Sequence, residues 1–254
     1  MRGVVLGVCL LLAAAAACAE TTGSCSIAAG RWDGKMTFSW DRGECSGERH
    51  CHEGSSDMEW GKWTGIAPDD LRHEGTTIDA RMSAEAGEMR CTGNVHDGGL
   101  EGSYSFTPNA DFSRKMQAMG FDNLTSDQLQ GYAFLDVTTS WVKDLREAHV
   151  KEMTSENLMG LRALKVDAAY VHSMATDGYP ELEANKLTSM KAVGVTPEKV
   201  KAVRAMGYSP TEEELIQMSV FKIDAPFVER MKARGFKNLT ISQLVQIKVF
   251  KLDE

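Results

Sequence analysis

Polar and apolar positions from residue 109 to the C-terminus follow one pattern of about 29 residues, which occurs five times. Each copy opens with a side chain that can accept a hydrogen bond from a backbone N–H in the first turn of a helix. The openings are spaced 29, 29, 29 and 28 residues apart and are Asn109, Thr138, Asp167, Thr196 and Asp224. Each of them predicts the start of a helix.

A glycine then predicts the end of this first helix, because glycine readily takes the left-handed conformation that closes a helix. The glycines are Gly120, Gly178, Gly207 and Gly235, with His149 in their place in the second copy. A second helix start follows, and in four copies it resembles a capping box, in which a threonine and the side chain three residues later cap each other. These threonines are Thr125, Thr154, Thr211 and Thr240, while Glu183 stands at this point in the third copy. The fourth copy is one residue short before Thr211.

The second helix of each copy has apolar residues three positions apart on one face, such as Leu129 and Tyr132. Each copy closes with an aliphatic residue: Val137, Val166, Val195, Ile223 or Leu252. Helices of about ten residues are marginal alone, so the copies must stack to bury these faces. The pattern predicts an α-solenoid of five two-helix repeats over residues 107–254, with units starting near 109, 138, 167, 196 and 224.

Residues 20–106 alternate between apolar and polar positions, which is the period of half-buried strands. Residues 36–40 and 100–106 show the alternation most clearly, and Asp33-Gly34 and Asp97-Gly98-Gly99 provide hairpin-turn sequences. We expect five or six short antiparallel strands. The chain therefore belongs to the α+β class, with a small antiparallel β-domain followed by the solenoid.

Residues 1–19 have the features of a secretory signal peptide. They contain one positive charge at Arg2, an apolar run over residues 4–17, and small residues before Glu20. An alternative is that Cys18 carries a lipid tether, as in a bacterial lipoprotein. No later segment is long and apolar enough to span a bilayer. We expect an exported protein, either periplasmic or secreted.

Charge is distributed unevenly along the chain. Residues 20–106 contain 16 acidic and 8 basic residues (8 − 16 = −8), whereas residues 107–254 contain 20 and 19 (19 − 20 = −1). Neither part has the basic surface typical of nucleic-acid binding, so no nucleic-acid partner is expected.

After removal of the signal peptide the chain keeps four cysteines, Cys25, Cys45, Cys51 and Cys91. An even number in an exported protein predicts two disulfides, which can pair in three ways. We rank Cys45–Cys51 with Cys25–Cys91 first, because the polar residues 46–50 can turn the chain back on itself.

A metal site is the alternative for part of this segment. Cys45, His50, Cys51 and His52 place two thiols and two imidazoles within eight residues, and both groups bind zinc or copper. Their spacing matches no common zinc motif, and neighbouring residues on a strand point to opposite faces. A disulfide with exposed histidines is therefore favoured, and no cofactor is expected.

Catalytic motifs are missing from the sequence. His52-Glu53 and His73-Glu74 lack the second histidine of a zinc-peptidase helix, and neither a nucleophile elbow nor a phosphate-binding glycine loop is present. We expect no enzymatic activity, with a hydrolase of unrecognised type as an alternative. Trp60 and Trp63 can line a carbohydrate or peptide groove, but a place in the β-domain core is favoured.

Two stretches of the repeats resemble a known sequence family. Residues 194–208 read GVTPEKVKAVRAMGY and residues 227–240 read FVERMKARGFKNLT. They resemble a repeat found in exported bacterial proteins of unassigned activity and in the extracytoplasmic tail of membrane metallopeptidases of the beta-lactam-sensor type. Residues 100–112, LEGSYSFTPNADF, resemble the start of such tails.

This resemblance covers roughly residues 60–254 and does not extend to a peptidase domain, because the zinc motif and the transmembrane helices are missing. It implies a stand-alone exported version of a sensor or interaction tail, and it transfers no catalytic residue. The cysteine- and histidine-containing segment is not part of the resemblance.

These observations predict a non-enzymatic scaffold whose helical repeats bind another protein of the cell envelope. Candidate partner-binding residues are polar or small positions beside the second helices: Gln130, Gly160, Ser189, Gln217 and Gln246. The alternative is a sensor module in which the N-terminal β-domain binds a small molecule or a metal.

Overall fold

A computed structural model describes residues 20–32, 34–42 and 53–252. The N-terminal part forms one antiparallel sheet with strand order β3-β2-β1-β6-β5-β4. The strands are β1 (Thr21–Ala29), β2 (Lys35–Asp41), β3 (Glu53–Glu59), β4 (Thr77–Ala84), β5 (Gly87–His96) and β6 (Gly99–Pro108). Two short 3₁₀ helices, Trp60–Lys62 and Pro68–Arg72, connect β3 to β4. The predicted set of short antiparallel strands is confirmed.

Ten helices follow the sheet in five consecutive pairs. They are α1 (Ala110–Ala118), α2 (Ser126–Leu135), α3 (Thr139–Glu147), α4 (Ser155–Ala163), α5 (Ala168–Thr176), α6 (Ala184–Ala192), α7 (Pro197–Ala205), α8 (Glu212–Val220), α9 (Ala225–Ala233) and α10 (Ile241–Val249). We number the pairs as units one (109–137), two (138–166), three (167–195), four (196–223) and five (224–252). The α+β fold class, with a β-sheet followed by paired helices, is confirmed.

The predicted capping side chains are the ones that start the helices. All five unit openings accept a backbone N–H, as Asn109 does from Asp111 at 2.9 Å. The four predicted capping boxes all form. Glu183, which we identified as the exception, precedes α6 without a side-chain hydrogen bond to the helix. Local sequence therefore sets where each helix begins.

Left-handed residues end the first helices. The four predicted glycines have positive φ, and His149 adopts the same conformation with φ of 64°. The short fourth unit lacks a further left-handed residue that Asn123, Glu152, Glu181 and Asn238 supply in the other units. Pro210, which is buried, stands there directly before the cap Thr211.

The inner face of the sheet packs against unit one. Ile27, Phe38 and Leu100 are fully buried on this face, and the Phe134 ring of α2 stacks on Trp40 with ring centroids 4.6 Å apart. From there the buried core continues without interruption through the helices. The sheet thus covers the first end of the helical stack.

Among the described helices, none combines the length and apolar character needed to cross a membrane.

Candidate functional site

The predicted Cys25–Cys91 disulfide is present and connects β1 to β5 across the intervening strand β6. The two Cα atoms are 6.0 Å apart. The β6 residue paired with Cys25 is Gly102, and a Cβ there would lie 2.1 Å from the carbonyl oxygen of Thr92. The absence of a side chain at Gly102 lets the neighbouring strands approach closely.

Cys45, His50, Cys51 and His52 lie outside the described residues. The second disulfide and the alternative metal site therefore stay predictions. Within the described part of the chain, no group of three or more histidine, cysteine, aspartate or glutamate side chains is arranged to hold a metal ion.

Gln130 is not an exposed binding residue, and this prediction is wrong. Only 3 % of its surface is exposed, and its side-chain carbonyl accepts a hydrogen bond from Arg42. It also lies one position too early, because Gly131 is the residue equivalent to Gly160. Gln130 is buried because α2 is the helix that packs against the sheet.

The other four candidates differ in exposure. Gly160 is half-buried, and an added Cβ would contact Thr188 at 3.4 Å, so the position serves helix packing. Ser189 is exposed and donates to the Asn185 carbonyl at 2.9 Å. Gln217 and Gln246 are exposed. The candidates therefore do not form one continuous polar ridge.

The tryptophans of the β-domain have separate environments. Trp63 is 4 % exposed and its ring centroid lies 4.7 Å from that of Phe38, which confirms its place in the core. Trp60 is half-buried and lines, with Trp32, a surface cleft of about 390 Å³. Trp32 is 64 % exposed, and sequence reasoning did not single it out. Its position beside the Gly34 turn was the available signal.

The outer face of the sheet carries a polar trough of about 740 Å³. Ser24, Ser26, Ser39 and Ser55 line it with Asp41, Glu53 and Glu101. Farther along the sheet, hydrogen bonds from Arg90 and then Arg81 hold the pKa of Asp79 well below its ordinary value. The trough is therefore hydroxyl-lined and acidic.

Junctions between units repeat the same contacts. Tyr179 donates to the Pro210 carbonyl at 2.6 Å, and Tyr208 donates to the Leu239 carbonyl at 3.1 Å. The Arg146 guanidinium donates to the Met119 carbonyl and lies 5.0 Å from the centroid of the Phe121 ring. Each unit thus contributes hydrogen bonds and packing to its neighbour.

Unit five exposes positions that a neighbour covers in the earlier units. Leu252 is 61 % exposed, although its equivalents are at most 2 % exposed in units one to four: Val137, Val166, Val195 and Ile223. Phe236 is 43 % exposed, whereas its equivalent Phe121 is 4 % exposed. Phe250 is 68 % exposed, and its equivalents in units one to four are half-buried. We call Phe236, Phe250 and Leu252 the terminal surface.

Basic side chains lie next to the terminal surface in the sequence. Residues 224–254 contain six basic and four acidic side chains (6 − 4 = +2). Arg234, Lys237 and Lys251 are exposed, and none of them is in an ion pair with another described residue. Sequence reasoning noted the apolar Leu252 but not its exposure, since the repeat pattern places it in the same class as four buried residues.

Comparison of the chain with family models, with curated proteins and with solved structures finds no match.

Proposed function

We propose that this protein is a non-enzymatic, exported scaffold that binds another protein of the cell envelope through its helical repeats. The observation that carries the proposal is the terminal surface. Apolar side chains equivalent to covered residues in units one to four stand exposed there, and contiguous exposed apolar surface is typical of interaction sites.

Repeat architecture supports the proposal. Terminal repeats of a solenoid ordinarily present a polar outer face for solubility. Unit five instead presents two phenylalanines and a leucine, 43 %, 68 % and 61 % exposed. A partner that covers them extends the packing already present at the four junctions within the stack.

Export rests on the predicted signal peptide and is consistent with the Cys25–Cys91 disulfide, because disulfides persist in oxidising compartments. The lipid tether at Cys18 remains part of the proposal as an alternative form of export. The resemblance to exported repeat proteins also supports export. The related tails of sensor-type metallopeptidases suggest that the partner is associated with a sensor.

The test is site-specific photo-cross-linking in the native cell envelope. A photoreactive phenylalanine analogue at position 250 should give a discrete cross-linked partner. The same analogue at position 220 is the control, because Val220 is also exposed but is the last residue of α8 in unit four. Identical cross-linking patterns from both positions would contradict binding at the terminal surface.

A second candidate function is small-molecule binding by the β-domain, which the cleft between Trp32 and Trp60 favours. Ligand binding there should change tryptophan fluorescence, and Trp32→Ala should remove most of that change. A fluorescence response that persists in Trp32→Ala would place the ligand elsewhere.

A further inference from the structure

The junction between units two and three shows how this chain covers the end of a unit. Val150 is buried there, and Lys151 next to it forms a short parallel bridge with unit three. The Lys151 N–H donates to the Leu182 carbonyl at 3.0 Å, and the Ala184 N–H donates to the Lys151 carbonyl at 2.9 Å. The Lys151 ammonium lies 3.5 Å from the Glu181 carboxylate. At this junction, the burial of Val150 and the Lys151–Glu181 ion pair thus both join unit two to unit three.

Unit five contains equivalents of the two residues that unit two contributes to this junction. Phe236 and Lys237 stand at the positions of Val150 and Lys151, each directly after the left-handed residue that ends the first helix. Both are exposed, and in the described part of the chain no carboxylate is paired with Lys237. Among the described residues, no carboxylate occupies beside Lys237 the place that Glu181 has beside Lys151.

An ion pair also joins units three and four at the next junction. Lys186 of unit three pairs with Glu213 of unit four, so in both cases the earlier unit supplies the cation and the later unit the carboxylate. The junction between units one and two has the opposite direction, since Arg162 of unit two pairs with Asp136 of unit one at 3.2 Å.

At the terminal surface, Arg234 and Lys251 add two further exposed cations beside Lys237. The acidic character of the partner therefore follows from the exposed cations Arg234, Lys237 and Lys251 themselves, which an acidic segment complements.

A second copy of this chain does not meet that requirement through either end of its helical stack. Two terminal surfaces placed end to end bring together two segments, residues 224–254 of each copy, with a net charge of +2 each, and these repel each other. The opposite end of the stack is closed, since α2 packs against the sheet through Phe134 and Trp40. In the described part of a second copy, neither end of the helical stack therefore provides an exposed helical surface of complementary charge.

We infer that the terminal surface binds an acidic, amphipathic helical segment of a partner protein. The apolar face of that segment covers Phe236, Phe250 and Leu252, and its carboxylates pair with Lys237 and Arg234. The inference rests on the proposed function and specifies the chemistry of the partner.

The test uses the full mature protein and two fluorescently labelled synthetic helices. One has leucines along one face and glutamates on its other faces, and the second has lysines in place of the glutamates. In anisotropy titrations at low ionic strength, the acidic helix should bind about tenfold or more tightly than the basic helix. Addition of salt should weaken that binding, because screening reduces the attraction between exposed charges.

Three variants separate charge from apolar contact. Lys237→Glu should weaken binding of the acidic helix about tenfold and strengthen binding of the basic helix. Lys143→Glu, on the exposed side of α3, is the matched control and should change neither. Phe250→Ser with Leu252→Ser removes apolar contact without adding charge and should abolish binding of both helices, with thermal unfolding used to verify that each variant is folded.

Three results would overturn the inference: equal binding of the two helices, equal effects of Lys237→Glu and Lys143→Glu, or no binding of the acidic helix. Binding to phosphatidylglycerol vesicles in place of the acidic helix would assign the surface to a membrane instead. If the basic helix binds more tightly than the acidic helix, and Phe250→Ser with Leu252→Ser removes that binding, the acidic character assigned to the partner is wrong while the proposed scaffold function stands. If, in addition, the analogue at position 250 gives no cross-linked partner, both the inference and the proposed scaffold function are contradicted.

Discussion

Tyrosine hydroxyls in the repeats donate hydrogen bonds to backbone carbonyls of segments that connect the helices. Tyr170 of α5 donates to the Val195 carbonyl at 2.9 Å, and Lys191 lies 4.1 Å from the centroid of its ring. Burial raises the pKa of Tyr170 to about 12. The neutral hydroxyl is therefore part of the folded structure and closes the end of α6 against α5.

Tyr170→Phe should lower the free energy of unfolding by about 1 kcal/mol at neutral pH, because the Val195 carbonyl loses its donor. The raised pKa means that the hydroxyl stabilises the folded state below about pH 10, the unfolded value, and that this contribution is lost as pH rises toward 12. The difference between wild type and variant should shrink accordingly in urea unfolding near pH 11. An unchanged difference at both pH values would show that Tyr170 does not titrate as its burial requires.

Gly160→Ala should stabilise the protein by about 0.5–1 kcal/mol, because Gly160 lies inside α4 and alanine is the better helix former. The added Cβ would make ordinary contact with Thr188 at 3.4 Å. Gly178→Ala is the matched control and should destabilise, since Gly178 has φ of 87°. Thermal unfolding distinguishes them, and a loss of stability in Gly160→Ala would indicate that the junction cannot accept the methyl group.

At the scale of the helices, arginines join neighbouring units at the ends of the first helices. Arg204 donates to the Asp177 carbonyl and lies 5.6 Å from the centroid of the Tyr179 ring, which repeats the contacts of Arg146 in unit two. Unit five has Lys232 at this position. Its ammonium pairs with Glu229 at 2.8 Å, a hydrogen bond that raises the pKa of Lys232. A cleft of about 320 Å³ lies beside it, between units four and five.

Lys232→Arg should therefore stabilise unit five by about 0.5–1 kcal/mol, since a guanidinium can stack on Tyr208 and donate to the Met206 carbonyl. Lys201→Arg, on the exposed side of α7, is the control and should have no measurable effect. Hydrogen exchange of α9 and α10 would report the local gain. Equal protection in both variants would mean that the cleft does not receive the arginine.

Helix boundaries could be predicted from the sequence, whereas the buried sides of the helices could be predicted only in part. Caps such as Thr125 and stops such as Gly120 act on backbone groups a few residues away, so their pattern is sufficient. Gln130 shows the limit, because a polar residue beside the buried stripe of α2 was expected to face solvent. It is buried against the sheet instead, and its hydrogen-bond donor is Arg42, a residue 88 positions away in the chain.

At the scale of the whole molecule, the sheet and the first unit share one core that the Cys25–Cys91 disulfide constrains. The bond closes a loop with a sequence separation of 66 residues, which includes most of the sheet. Its two sulfurs are shielded by the surrounding core, as both cysteines are buried.

Replacement of Cys25 and Cys91 by alanine should lower the free energy of unfolding by about 2–4 kcal/mol, since the unfolded chain regains the freedom that the bond removes. Urea unfolding of the oxidised and reduced wild type gives the comparison. The variant should match the reduced protein, and its stability should not change on addition of reductant. A variant as stable as the oxidised wild type would show that core packing alone holds β1 and β5 together.

The sequence by itself determined the five-fold repeat, the helix starts and stops and the β-rich N-terminal part. Those features follow from hydrogen bonds and periodicities within short segments. Only the tertiary structure decided that Gln130 is buried, that Gly102 allows strands to approach beneath the disulfide, and that Leu252 is exposed while Val137 is not. The physical reason is that burial depends on which distant segment packs over a residue. Equivalent positions in the repeats have similar local sequence patterns but different neighbouring segments.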